Sequence, residues 1–152
     1  MKNILIVDDE PDIIEFLKYN LTKNDFIVET ALNGKECLKK LESFSPEIIV
    51  LDIMMPKMNG IETCEKIRLI DQYKETIIIF LSARNESFTQ IACYDAGGDD
   101  FIPKPIQPKL LIKKIEAILK RVKNDLNTIN GVQVDKEKYK IIYEGNSIKL
   151  PK

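Results

Sequence analysis

The stretch "IIVLDIMMPKMNG", from Ile48 to Gly60, sets an apolar run directly against a carboxylate. Four apolar residues lead into Asp52, and no basic residue follows until Lys57. An apolar run of this kind, closed by proline and glycine, is typical of a strand that is buried on both faces. The pattern therefore predicts a buried strand that delivers Asp52 to its carboxyl end.

Similar strand-like runs alternate with helical patterns on both sides of this stretch. Such alternation predicts a parallel sheet with crossover helices on both faces, a doubly wound α/β fold of five strands and five helices. The predicted strands are Asn3–Val7, Phe26–Ala31, 47–52, Thr76–Ser82 and a short strand within 99–105. The predicted helices are Pro11–Lys23, 34–42, 60–70, 87–97 and Pro108–Val122.

Composition limits the classes of function. The 152 residues, with 44% hydrophobic and 31% charged, predict a soluble protein with one ordinary domain and part of another. No apolar run is long enough to span a bilayer, so we expect a cytoplasmic protein without membrane contact. The absence of histidine excludes Ser-His-Asp chemistry, His-bound zinc and a phosphohistidine donor. The three cysteines form no CxxC pair and are interpreted as small buried residues.

Polar side chains stand at the carboxyl ends of four predicted strands: Asp8 and Asp9, Asp52, Ser82 and Lys104. Each alone has an ordinary explanation, such as capping a helix or starting a turn. Together they meet at the edge where a doubly wound fold places its site. Two carboxylates about 4 Å apart repel by about 4 kcal/mol at an effective dielectric of about 20. Lys104 and a hard divalent ion, Mg²⁺ or Mn²⁺, would balance them.

A carboxylate, a hydroxyl, a lysine and a divalent ion together favour phosphoryl transfer. With an ordinary pKa of about 3.9, Asp52 is ionised at neutral pH and can act as the nucleophile without a base. Lys104 would pair with one phosphoryl oxygen and Ser82 would donate a hydrogen bond to another. The nucleotide-binding patterns GxGxxG and GxxxxGK[ST] do not occur.

The motifs "LIVDDEPD", "LDIMMPKMNG", "FLSAR" and "DAGGDDFIPKPI" resemble the receiver domain of two-component response regulators, over residues 2 to about 121. The resemblance implies a flavodoxin-like, receiver-like sheet in which Asp52 takes a phosphoryl group from a sensor histidine kinase. It implies that Asp9, Asp52 and the backbone carbonyl of Met54 bind the metal ion, with Asp8 acting through water.

Two further features follow from the same resemblance. The peptide bond between Lys104 and Pro105 would be cis. Ser82 and Phe101 would form a switch pair that moves on phosphorylation, although a strand phenylalanine is equally expected to be a plain core residue.

The tail of the chain contains short strand-like runs, "INGVQVD", "KYKIIYEG" and "NSIKLPK", with Gly145-Asn146 where a tight hairpin turn would lie. These runs resemble the opening antiparallel sheet of the winged-helix effector domain in OmpR/PhoB-type regulators. We divide the chain into a receiver domain at 1–122, a linker at 123–128 and a truncated β segment at 129–152. The expectation is therefore a fragment of a transcription regulator that binds DNA only in its full-length form. The net charge of −1 gives no general attraction to nucleic acid.

In OmpR/PhoB-type receivers, a homodimer forms through the fourth helix, fifth strand and fifth helix. The resemblance implies an apolar patch and one set of ion pairs on this face, made by Ile91, Tyr94, Ile112, Asp99, Asp100 and Lys114. A second ion pair of the family is missing, because Gln90 and Leu110 stand in its place.

Two alternatives stay open. One is a stand-alone receiver that acts through protein contacts, which would not need the strand-rich tail. The other is a Mg²⁺-dependent aspartyl-phosphate phosphatase, but those enzymes carry a second Asp where this chain has Met54. We therefore expect no enzyme, only self-phosphorylation and slow autodephosphorylation, because neither Met54 nor Arg84 can orient an attacking water.

Overall fold

Five parallel strands form a single sheet. The computed structural model describes residues 2–83 and 87–131. The strands are β1 (Asn3–Val7), β2 (Ile27–Ala31), β3 (Ile48–Asp52), β4 (Ile77–Ser82) and β5 (Asp100–Pro103). Their order across the sheet is β2-β1-β3-β4-β5, and every neighbouring pair is parallel.

Four helices connect the successive strands, and a fifth follows the last strand. They are α1 (Pro11–Lys23), α2 (Gly34–Lys40), α3 (Gly60–Arg68), α4 (Ser87–Asp95) and α5 (Pro108–Gly131), with a 3-10 turn at Asp71–Tyr73. The chain moves from β1 outward to β2 and then returns past β1 to β3, so the winding reverses between β1 and β3. Right-handed crossovers in opposite directions place their helices on opposite faces of the sheet. The doubly wound fold predicted from the sequence is therefore confirmed.

Local sequence explains where the elements begin. Pro11 opens α1, a position where the missing backbone N–H costs nothing. Asn59 and Glu62 form a capping box at the start of α3, each side chain accepting from the other residue's backbone N–H. The continuous apolar runs of β3 and β4 are fully buried, as expected for central parallel strands.

The three cysteines lie where the sequence predicted. Cys37, Cys64 and Cys93 are free thiols, and all three are buried in the apolar core cluster. The Sγ of Cys64 donates to the carbonyl oxygen of Ala96 at 3.3 Å. They act as small core residues. Within the described part of the chain, no helix is long and apolar enough to cross a membrane.

The last helix is longer than predicted. Internal contacts divide the chain into two compact units, Met1–Leu111 and Ile112–Lys152, and α5 begins in the first and continues in the second. It ends at Gly131 rather than at Val122, so the predicted linker at 123–128 and the first residues of the predicted β segment are helical. No proline or glycine interrupts residues 109–130, and Leu126 and Ile129 continue the apolar spacing. The rest of that segment lies outside the described residues.

Candidate phosphoryl-transfer site

One lysine bridges two buried carboxylates at the carboxyl edge of the sheet. Asp8 follows β1, Asp52 ends β3 and Lys104 follows β5. Lys104 Nζ lies 3.1 Å from Asp8 Oδ2 and 3.3 Å from Asp52 Oδ1. Asp8 has no exposed surface and Asp52 exposes 2%. The structure thus brings together the predicted nucleophile, its lysine and one acid of the first strand.

A third carboxylate completes an acidic cluster. Oxygens of Asp8, Asp9 and Asp52 all lie within 4.8 Å of one another, and Asp9 is exposed. Among the described residues, Asp8 Oδ2 is the one buried side-chain polar atom without an assigned hydrogen bond, and Lys104 Nζ is its ion-pair partner at 3.1 Å. Clustered carboxylates with an unsatisfied buried oxygen fit a hard divalent cation.

The pKa of Asp52 differs from the sequence expectation. The pKa of Asp52 is raised to about 6, chiefly by burial and then by the neighbouring charge of Asp8, while Lys104 opposes the rise. The expectation of an ordinary pKa near 3.9 is therefore wrong, because it ignored burial. At neutral pH the carboxylate is still mostly ionised. Burial works against the ammonium of Lys104, but Asp52 and Asp8 outweigh it and raise the pKa of Lys104.

Backbone contacts hold the acids in place. The N–H of Glu10 donates to Asp8 Oδ1 at 2.9 Å, which fixes the carboxylate against the start of α1. After Asp52, the carbonyl of Ile53 accepts from Met55 and Gly60, so the β3–α3 loop folds back under the strand end. A Cβ on Gly60 would overlap the carbonyl oxygen of Asp52. Only glycine lets α3 begin so close to the candidate nucleophile.

The remaining residues expected on this edge are also present. Ser82 is buried at the end of β4, and its carbonyl accepts from the N–H of Lys104 at 2.7 Å. The peptide bond between Lys104 and Pro105 is cis, as the resemblance implied. Phe101 exposes 8% and belongs to the core cluster, beside Phe80 of the neighbouring strand. Its role as a switch stays a prediction.

The residues expected in a dimer face have different environments. Ile91 and Tyr94 on α4 expose 59% and 48% of their surface, whereas Ile112 exposes only 8%. Asp99 has partners within the chain: its Oδ2 accepts from Arg68 Nη2 at 3.0 Å and from the N–H of Ile78 at 2.8 Å. Asp100 and Lys114 are partly buried.

Arg84, which the sequence placed near the phosphoryl-transfer site, lies outside the described residues.

Sequence reasoning missed two charged residues. Glu10 Oε1 lies 4.0 Å from Lys104 Nζ, and its place directly after Asp8 and Asp9 was a usable signal. Arg68, at the end of α3, donates to four backbone carbonyls and to Asp99. A single arginine at a helix end carries no sequence signal for such a network.

Comparison with known proteins agrees with this geometry. The family model described as the response regulator receiver domain matches residues 4–116. The chain is 38% identical over 153 residues to the response regulator ArlR of Staphylococcus aureus, covering 100% of this chain and 68% of that protein. This chain belongs to the response regulator receiver domain family.

Solved structures show the same fold. The chemotaxis protein CheY4 of Vibrio cholerae matches with a TM-score of 0.75 at 30% identity, covering 77% of this chain and 98% of that one. The response regulator DrrB of Thermotoga maritima, an OmpR/PhoB homologue, matches with a TM-score of 0.72 at 29% identity. That match covers 80% of this chain and 54% of DrrB.

Proposed function

We propose that Asp52 accepts a phosphoryl group from a sensor histidine kinase and that the phosphorylated state regulates transcription in the longer protein. The observation that carries this proposal is the placement of Lys104 within 3.3 Å of Asp52 and 3.1 Å of Asp8. The ammonium of Lys104 is carried on a flexible side chain. It can therefore stay paired with Asp52 when a phosphoryl group adds negative charge to that residue.

The transfer is a single displacement at phosphorus. An Asp52 carboxylate oxygen attacks the phosphorus, and the bond from phosphorus to the donor nitrogen breaks. The nitrogen leaves with the electron pair and takes a proton from solvent, and Asp52 becomes an acyl phosphate. Lys104 pairs with one phosphoryl oxygen and the Ser82 hydroxyl donates to another, which positions the group and spreads its charge.

The acidic cluster would hold Mg²⁺ or Mn²⁺. Asp9, Asp52 and the backbone carbonyl of Met54 would bind the ion, with Asp8 acting through water. A bound ion would neutralise part of the negative charge of the acids and the phosphoryl oxygens. The support is the unsatisfied Oδ2 of Asp8 within a cluster of three carboxylates.

The domain division and the partners that we propose are those of the family. We place the receiver domain at 1–122, with 123–128 leading to an effector segment at 129–152; the continuation of α5 to Gly131 makes this connection helical.

A sensor histidine kinase would donate the phosphoryl group in the cytoplasm, and DNA would be bound only by the full-length protein. A homodimer would use the α4 face that carries Ile91 and Tyr94, both exposed. The likeness to ArlR and to DrrB supports this arrangement.

Phosphoramidate tests the proposal without a kinase. The chain is incubated with phosphoramidate and Mg²⁺, and its intact mass is measured over time. We expect wild type to gain one phosphoryl group, Asp52→Asn to gain none, and a chelator to stop the reaction. Asp71→Asn is the matched control, because that carboxylate is 95% exposed and far from the site in sequence and fold. Equal phosphorylation of Asp52→Asn and wild type would refute the assignment.

A further inference from the structure

The loop after the candidate nucleophile is rich in methionine. Three of the four methionines in the chain, Met54, Met55 and Met58, lie between β3 and α3. Their environments differ: Met54 exposes 56% of its surface, Met55 exposes 7%, and Met58 is partly buried. Among the described methionines, Met54 therefore offers its thioether most openly to solvent.

Met54 lies on the solvent side of the loop that follows Asp52. The strand β3 ends at Asp52, and the N–H of Met55 donates to the carbonyl of Ile53 at 3.1 Å, so the chain turns at Met54. Ile53 and Met55, on either side of this turn, are buried in the core cluster, whereas Met54 is exposed. Met54 is therefore exposed at the carboxyl edge of the sheet, two residues after Asp52.

The three cysteines should be oxidised less readily than Met54. Burial raises the pKa of Cys37 to about 12 and those of Cys64 and Cys93 to about 11. The thiolate is the reactive form of cysteine, and these three thiols are also closed to solvent. A thioether needs no deprotonation, so its reaction depends mainly on exposure.

We propose that Met54 is an oxidation site and that its sulfoxide shortens the lifetime of the phosphoryl group on Asp52. This inference rests on the proposed function of Asp52. A peroxide is the oxidant: the Met54 sulfur attacks one peroxide oxygen, the O–O bond breaks, and the other oxygen leaves as water. Sulfur is oxidised by two electrons and the peroxide is reduced by two.

The sulfoxide changes what the side chain can do. A thioether is a weak acceptor and cannot orient water, whereas a sulfoxide carries a polar oxygen that accepts a hydrogen bond. Water held by that oxygen attacks the phosphorus, the bond from phosphorus to the Asp52 oxygen breaks, and inorganic phosphate leaves. The Asp52 carboxylate and the sulfoxide are both regenerated unchanged.

Two variants separate oxidation from other effects. Glutamine has the shape of methionine sulfoxide, with a carbonyl oxygen at the position of the sulfoxide oxygen, so Met54→Gln imitates the oxidised state. Met54→Leu has similar size but cannot be oxidised. Met55→Leu removes a buried neighbour and should keep the response of wild type. Each protein is phosphorylated with phosphoramidate and Mg²⁺, freed of donor, and followed by intact mass with and without prior hydrogen peroxide.

The response of each chain to peroxide is compared with its own untreated state. Peroxide should shorten the phosphoryl lifetime of wild type and of Met55→Leu by about tenfold, less than the roughly 10²–10⁴-fold that full acid–base catalysis contributes. Met54→Leu should not respond, and untreated Met54→Gln should already be short-lived. A methionine sulfoxide reductase should restore the wild-type lifetime.

Peptide mapping assigns the oxidised residue. Oxidation of Met54 with an unchanged lifetime, or oxidation of Met58 or a cysteine while Met54 stays intact, would overturn the inference. A lifetime that shortens equally in Met54→Leu would do the same. Failure of the proposed function looks different, because wild type would then gain no phosphoryl group on Asp52 before any peroxide is added.

Discussion

Lys104 and Asp52 form an ion pair of 3.3 Å that is almost closed to solvent, with 15% of the lysine side chain and 3% of the aspartate side chain exposed. Nζ of the same lysine lies 3.1 Å from Asp8 Oδ2. Lys104 contributes one positive charge, whereas Asp8, Asp52 and the nearby Asp9 contribute three carboxylates. The net charge of the site is therefore negative. Such a site should gain stability from a divalent cation and should hold one phosphoryl group tightly once the cation is bound.

Magnesium should stabilise the folded chain. At a Mg²⁺ concentration about 100 times its dissociation constant, the free energy of unfolding should rise by about 2.7 kcal/mol, and a chelator should remove the gain. Asp9→Asn removes a proposed ligand, and a tenfold loss of affinity at the same Mg²⁺ concentration should lower the gain to about 1.4 kcal/mol. Urea denaturation with and without Mg²⁺ measures both effects.

The control for this experiment is Asp71→Asn, which removes an exposed acid outside the cluster and should keep the full gain. An equal Mg²⁺ response in Asp9→Asn and wild type would mean that the ion binds elsewhere.

Gly60→Ala should damage both stability and phosphorylation. The added Cβ would overlap the carbonyl oxygen of Asp52 and stand 2.8 Å from Cα of Ile53, so backbone has to move. Overpacking of this kind lowers the free energy of unfolding by about 1–3 kcal/mol. The displaced strand end should also slow the reaction with phosphoramidate, which intact mass follows. Glu65→Ala, an exposed change in the same helix, should leave both values near wild type. Normal phosphorylation of Gly60→Ala would contradict the proposed tight fit.

Arg68 connects the end of α3 with two turns at the opposite end of the sheet, the one before β4 and the one before β5. Its guanidinium donates to the carbonyls of Gly97 at 2.7 Å, Tyr73 at 2.9 Å and Thr76 at 2.6 Å, and to Asp99 Oδ2 at 3.0 Å. Arg68→Ala should lower the free energy of unfolding by about 2–4 kcal/mol, because partly buried acceptors and a carboxylate lose their partner. Arg68→Lys should recover little, since an ammonium cannot form the planar fork.

Urea denaturation gives these values. Lys113→Ala is the matched control: its ion pair with Glu116 is exposed and 3.9 Å long, so it should cost less than about 1 kcal/mol. A loss in Arg68→Ala no larger than in Lys113→Ala would show that the network does not stabilise the fold.

Ile91→Asp should prevent the dimer that we propose for the phosphorylated state. Ile91 is 59% exposed, so the substitution should not disturb the fold, but a two-fold face would gain two desolvated carboxylates. Analytical ultracentrifugation with and without beryllofluoride measures the assembly, and intact mass checks that Asp52 is still phosphorylated. Leu69→Asp, at a residue 79% exposed on another surface, should dimerise as wild type does. A normal dimer in Ile91→Asp would place the interface elsewhere.

The positions of the site residues could be predicted because they depend on sheet topology alone. Asp8, Asp52, Ser82 and Lys104 each follow an apolar run, and parallel strands bring their carboxyl ends to one edge. Only the order of the elements was needed for that step.

Other features depend on contacts that a linear pattern does not contain. The pKa of Asp52 near 6 arises from burial and from Asp8, which only the folded site brings together. The carbonyls around Arg68 come from separate turns. Polar residues after Val122 suggested a linker, and Asn, Asp and Thr are indeed poor helix formers. The helix α5 nevertheless continues to Gly131, in keeping with the helical spacing of Val122, Leu126 and Ile129.

The central claim, that Asp52 is the residue phosphorylated, is tested most directly by chemical trapping. Sodium borohydride reduces an acyl phosphate to an alcohol, so a phosphorylated aspartate becomes homoserine. After reaction with phosphoramidate and Mg²⁺, reduction and tandem mass spectrometry, we predict homoserine at position 52 and at no other aspartate. Homoserine at position 8 or 9 with Asp52 intact, or none in a chain that gained a phosphoryl group, would contradict the claim.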